Sequence, residues 1–144
     1  MKFASLVAVL LFSAVSFAQS PQAWDAKSIA WQNIDKDGTK WAVLEGDKDA
    51  AGKAFTYAFF IPAGYWEHHW HTQDARDVVI TGELKVSFGD KLDKAGAKSY
   101  PVGSYLYVPA NVQHSMGAEV DTIIIGTALG PWKTHHHEEG GHQH

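Results

Sequence analysis

From Trp41 to Leu129 the chain is a succession of short runs rich in β-branched and aromatic residues: WAVLEGD, FTYAFFIP, EHHWH, DVVITG, ELKVSFGD, SYLYVP and TIIIGTAL. Such side chains fit a pleated, half-buried surface, and runs of this length bounded by turn residues read as strands. In ELKVSF the apolar Leu84, Val86 and Phe88 alternate with Glu83, Lys85 and Ser87, the pattern of a strand with one wet face. Gly46, Gly52, Gly64, Gly82, Gly89 and Gly103 punctuate the runs. Beyond the first twenty residues no window repeats apolar residues at helical spacing. The pattern therefore predicts an all-β domain, a sandwich or a barrel, with its last strand ending near Leu129.

The two ends of the chain differ from this middle. Lys2 followed by an apolar run from Phe3 to Val15 and then Ser16-Phe17-Ala18 fits an export signal with a small-x-small cleavage site, residues 1–18. The apolar run is too short for a comfortable membrane span. The expectation is a mature chain of about 125 residues, one domain, periplasmic or secreted and without a membrane span. Residues 19–40 show no sustained period and read as a lead-in segment, with Trp24 and Trp31 as anchors and Lys36-Asp37-Gly38 as a turn. The tail, residues 133–144, holds five of the nine histidines and no apolar residue after Trp132, so disorder is expected there.

Composition narrows the chemistry. The chain has no cysteine, which excludes disulfides, thiolate metal sites and a cysteine nucleophile, so any metal must sit on nitrogen and oxygen ligands. Net charge is −4 and the lysines are scattered, so no basic face is formed and nucleic acid is not expected as a partner.

Crowded histidines supply the candidate site. In HHWH alternation along an extended chain puts His69 and His71 on one side and His68 and Trp70 on the other, so His69 and His71 can share a metal and His68 falls outside. A further histidine, His114, follows the turn at Pro109, Ala110 and Asn111. Two imidazoles from one strand and one from a later strand can converge inside a small barrel, and imidazole suits a divalent transition metal.

These motifs resemble those of the cupin family. Its first motif, a glycine, HxH, a glutamate and a closing glycine, is matched by Gly64, His69-Trp70-His71 and Gly82. Its second is matched by Gly103, Pro109 and His114, with Asn111 standing where glycine is usual; Asn is the best non-glycine substitute at positive φ. The likeness runs over roughly residues 31–132 and is to small single-domain bacterial cupins of RmlC-like type. It implies a double-stranded β-helix, the jelly-roll sandwich or cupin barrel, over residues 41–132, with a divalent metal held by three histidines and a glutamate. His69, His71 and His114 match the histidines. The glutamate position holds Ala75.

Three acids are candidates to replace it. Asp77 would point inward if residue 75 does, Asp74 lies in the adjoining turn, and Glu67 shares a face with His69 and His71. The sequence does not choose among them; Asp77 is put forward as the carboxylate of the metal set with His69, His71 and His114. Trp66, Trp70, Tyr105 and Tyr107 are candidates for a small-molecule pocket, with Tyr105 and Tyr107 put forward as its lining, although aromatics at strand positions ordinarily pack on a sheet face.

The expected function is an exported metal-binding cupin carrying Fe, Mn, Ni, Cu or Zn, its open positions serving an oxygen-dependent, dioxygenase-type reaction on a small anionic or enolisable substrate. A second reading is a non-catalytic periplasmic binder or sensor of a metal or small ligand, with the histidine tail as buffer. A third is a remnant that lost metal with the glutamate. Apolar Val78 and Ile80 on an outer face suggest a homodimer.

Overall fold

The structure, a computed structural model, describes residues 20–136; the expected export signal and residues 137–144 of the tail lie outside them. Among the described residues the chain forms strands and no helix: β1 (Asn33–Ile34), β2 (Lys40–Glu45), β3 (Ala54–Ile61), β4 (Trp66–His71), β5 (Ala75–Thr81), β6 (Glu83–Phe88), β7 (Lys98–Pro101), β8 (Tyr105–Val108), β9 (His114–Gly117), β10 (Thr122–Leu129) and β11 (Thr134–His136). They pair antiparallel into two sheets, β1-β2-β3-β10-β5-β8 and β11-β4-β9-β6-β7. This is the expected all-β jelly-roll sandwich.

Strand alternation decides what fills the space between the sheets. On β3, Phe55, Tyr57 and Ile61 are buried, and on β5 the burial alternates from Ala75 through Asp77 to Val79, with Arg76 and Val78 outside. At one end Ile61, Val79, Leu106 and Ile124 from the first sheet meet Leu84, Val86 and Met116 from the second. At the other end Phe55, Tyr57, Ala75, Val108, Ala128 and Trp132 form a second cluster. Phe55 is fully buried, and truncating such a side chain to alanine costs about 3–5 kcal/mol.

The lead-in segment is integral to this fold. β1 pairs with β2, and Ile29 packs with Ala42, Leu44 and Ala58 on the outer face of the first sheet. Trp31 anchors the segment as expected, its ring edge-on to Phe60 at 6.3 Å. Trp24 does not: it is 46% exposed.

The tail departs from expectation more sharply. Thr134–His136 are ordered as β11, paired with β4 in the register Thr134 to His71, His135 to Trp70 and His136 to His69. The lack of apolar residues predicts disorder, but an edge strand is held by backbone hydrogen bonds, which need no apolar side chain. The His135 ring adds a stack on Trp70 at 4.1 Å.

Candidate metal centre

β4 and β9 are neighbours, and their register places His69 directly opposite His114. His71, two residues further along β4, falls on the same face. The three imidazoles are buried, His69 to 1% exposure, and their ligand atoms all lie within 4.8 Å of one another. His69 Nε2 and His71 Nε2 stand 3.0 Å apart. Two nitrogens bound at right angles to one ion, each about 2.1 Å from it, would be about 3 Å apart, so this pair fits a shared metal.

The other ring nitrogens are turned away from this point. His114 Nδ1 lies 3.0 Å from the Val112 carbonyl, which can only accept, so Nδ1 carries the proton and Nε2 keeps its lone pair. His71 Nδ1 meets Thr134 Oγ1 on β11 at 3.2 Å. His69 Nδ1 is buried without a hydrogen-bond partner and faces Glu67 Oε1 at 3.5 Å. Outer partners of this kind fix the ring and tautomer of metal-binding histidines. Trp132 stacks on His71 at 4.2 Å and walls the site from that side.

Electrostatics keep the ligands available. Burial, then repulsion from neighbouring histidines, pushes His69 and His114 down to about 3, with the Val112 carbonyl pulling His114 the other way, and His71 is driven well below the usual imidazole range for the same reasons. All three are neutral at physiological pH, with no proton to displace before a cation binds. Glu67 is raised to about 7 by burial, while His136 and the Tyr65 hydroxyl pull it down.

The carboxylates occupy three different places. Ala75 is packed into the apolar cluster with Phe55, Tyr57 and Val108. Asp77 does point inward, but it stands outside the histidine group: its Oδ1 accepts a hydrogen bond of 2.6 Å from Tyr57 Oη. Gly126, opposite Asp77 on β10, makes room for the pair, since a Cβ there would meet both Asp77 Oδ1 and the Tyr57 ring. Asp74 ties loops together, accepting from the Ala110 N–H at 3.0 Å and from Tyr107 Oη at 2.9 Å. Glu67 is the acid beside the histidines, and it approaches His69 from behind.

One further expectation changes and two hold. Tyr105 and Tyr107 are 60% and 48% exposed on the outer face of β8, while Leu106 and Val108 point inward, so the tyrosines line no pocket at the histidines. His68 lies off the site as expected, its Nε2 at 2.9 Å from the Gly89 carbonyl. Asn111 adopts the positive φ (64°) anticipated for it, and its N–H donates to the His71 carbonyl at 2.8 Å, joining the two motifs.

Reasoning from the sequence missed Thr134, His136 and Trp132 as site neighbours. Without β11, β4 would stand at the open edge of its sheet, and the residues after Trp132 were free to cover it.

Residues 19–133 match the family of ChrR cupin-like domains. This chain is a cupin. No curated protein matches its sequence. Among solved structures, an RmlC-like cupin of Shewanella frigidimarina shares 20% identity at a TM-score of 0.58, covering 77% of this chain and 92% of that one. A candidate acetylacetone dioxygenase of Methylibium petroleiphilum gives 21%, 0.58, 80% and 81%. A chain from the complex of SigE with the anti-sigma ChrR of Rhodobacter sphaeroides gives 18%, 0.55, 72% and 51%. At these identities the structural likeness is one of fold. The cupin barrel and its three-histidine cluster suit a divalent metal without specifying which.

Proposed function

We propose that this cupin is an exported metalloprotein that holds one divalent transition metal ion on His69, His71 and His114 and oxidises a small anionic or enolisable substrate with dioxygen. The observation that carries the metal reading is the convergence of the imidazoles, with His69 and His71 Nε2 at 3.0 Å and the opposite nitrogens of His71 and His114 engaged elsewhere. A bound ion would supply Lewis acidity and open coordination positions.

The chain's own residues do the rest. His69, His71 and His114 bind as neutral donors. Thr134 and the Val112 carbonyl hold two of the rings, and Glu67 lies behind the third. Trp132 excludes water from the His71 side. Three neutral ligands leave the ion's charge uncompensated by any directly bound carboxylate, which favours an anionic oxygen ligand over a neutral one. The likeness in fold to a candidate acetylacetone dioxygenase supports a substrate of this kind.

A second reading, non-catalytic sensing, is favoured by the match to ChrR-like domains, because ChrR is named as an anti-sigma protein. Export rests on the leader at residues 1–18.

Elemental mass spectrometry tests the metal reading on a chain with His137, His142 and His144 changed to alanine. We expect about one ion per chain in this parent and close to none after His71→Ala. Equal metal in both would refute it. A metal-loaded protein that consumes no oxygen with β-diketone, enol or catechol substrates would remove the enzyme and leave the sensor.

A further inference from the structure

The register of the second sheet puts three imidazoles in one row across three adjacent strands: His136 on β11 opposite His69 on β4, and His69 opposite His114 on β9. His136 is thus on the same face as the buried cluster, with its ring centroid 5.8 Å from that of His69. Its side chain is 37% exposed, whereas those of Glu67 and His69 are 9% and 1% exposed. His136 Nδ1 lies 3.3 Å from Glu67 Oε2, and the other oxygen of the same carboxylate faces His69 Nδ1, the buried nitrogen that lacks a hydrogen-bond partner. The order from solvent inward is imidazole, carboxylate, then the first ligand of the cluster.

We propose that His136 and Glu67 form an intake pair, a transient site that captures a divalent transition metal ion from solvent on the Nδ1 side of His69, from which the ion passes round the edge of that ring to the point where His69, His71 and His114 converge. The proposal rests on the metal centre inferred above. The pair offers one nitrogen and one oxygen, the donor types that suit such ions, and two donors bind weakly enough to release the ion to three. A cation reaching the buried cluster has to shed its water, and ligands on the way replace that water stepwise rather than all at once. β11 is the element that makes this geometry: its backbone pairing with β4 holds His136 over Glu67, and its Thr134 holds His71.

An intake pair leaves a kinetic signature that a structural residue does not. The pair speeds arrival and departure of the ion equally, so losing its outer member, His136, slows both and leaves Kd unchanged, whereas Glu67 also orients His69 and its loss changes Kd as well. The test is stopped-flow loading of the metal-free full chain with Co(II), followed by its visible absorption, with release measured by a chelator chase and Kd by competition. His136→Ala is expected to slow loading and release together, each about tenfold, with Kd within about twofold of wild type. His136→Cys, which keeps a ligand atom, is expected to load at close to the wild-type rate, and His136→Gln to behave like the alanine variant. The same differences must persist when His137, His142 and His144 are all alanine. Loading that is unaffected by His136→Ala overturns the proposal, as does a weaker Kd caused by faster release alone, which would make His136 a holding residue. If His71→Ala loads like wild type, it is the metal centre itself that fails.

Discussion

Glu67 on β4 and Asp77 on β5 face the same interior from opposite sheets, and burial raises both, to about 7 and about 6. Their neighbours set them apart. Asp77 accepts the Tyr57 hydroxyl in a space opened by Gly126, and that bond pulls against the rise without cancelling it. Glu67 sits between His136 and His69, one oxygen toward each. Burial in a barrel makes any acid look like a functional one; the partner it meets determines its use. Asp77 belongs to the packing of the first sheet, and Glu67 to the histidines of the second.

The comparison is broken most strongly through pH. An aspartate whose folded pKa is about 6, against about 3.9 unfolded, binds more protons when folded, so stability is greatest at low pH and is lost as pH rises from about 4 through 6. The loss at neutral pH is on the order of 2–3 kcal/mol. Asp77→Asn should therefore be more stable than wild type at pH 7 by about that much and equal to it near pH 4, as read from urea unfolding at each pH. A constant difference across that range would mean that Asp77 does not carry the charge assigned to it.

Metal affinity sharpens the same contrast. Glu67→Gln is expected to weaken Zn(II) binding about 10- to 100-fold, the usual cost of losing a carboxylate that orients a ligand, whereas Asp77→Asn leaves it within about twofold. If the two variants weaken binding alike, Asp77 is after all part of the metal set. Thr134→Val removes the partner of His71 Nδ1 while keeping shape and β propensity, and should cost roughly tenfold in affinity, at the lower end of that range. An unchanged Kd would show that β11 does not set the His71 ring. The smallest effect is expected at Tyr107→Phe, whose exposed hydroxyl bonds Asp74: a stability change within about 0.5 kcal/mol by urea unfolding and no change in Kd.

How much of this was legible in the sequence depended on distance along the chain. Strand alternation showed that His69 and His71 share a face and that Asp77 shares one with Ala75, because side-chain direction in a strand is a local, period-two property; that the second face is the inner one was implied by the family resemblance. Asn111 was legible for a similar reason, since a turn imposes its φ on the residue that occupies it. The role of Asp77 was not legible: Tyr57 and Gly126 come from two other strands, and only the pairing of β3, β10 and β5 brings them to its carboxylate. Tyr105 and Tyr107 were misplaced because alternation says that two residues share a face without saying which face is inside. Burial of Leu106 and Val108 decides that.

By itself the sequence determined that this is an all-β domain with three histidines available to a metal and no thiol to compete with them, because composition and periodicity are properties of the chain alone, and its motifs carried a resemblance to the cupins that implied the jelly-roll. Only the tertiary structure decided that Ala75 is filled by packing, that Glu67 and not Asp77 stands beside the imidazoles, and that β11 returns to β4 and brings Thr134 and His136 to the site. Each of these depends on which strands lie side by side. That choice is made by backbone pairing and burial summed over the whole barrel, and no local stretch of residues records it.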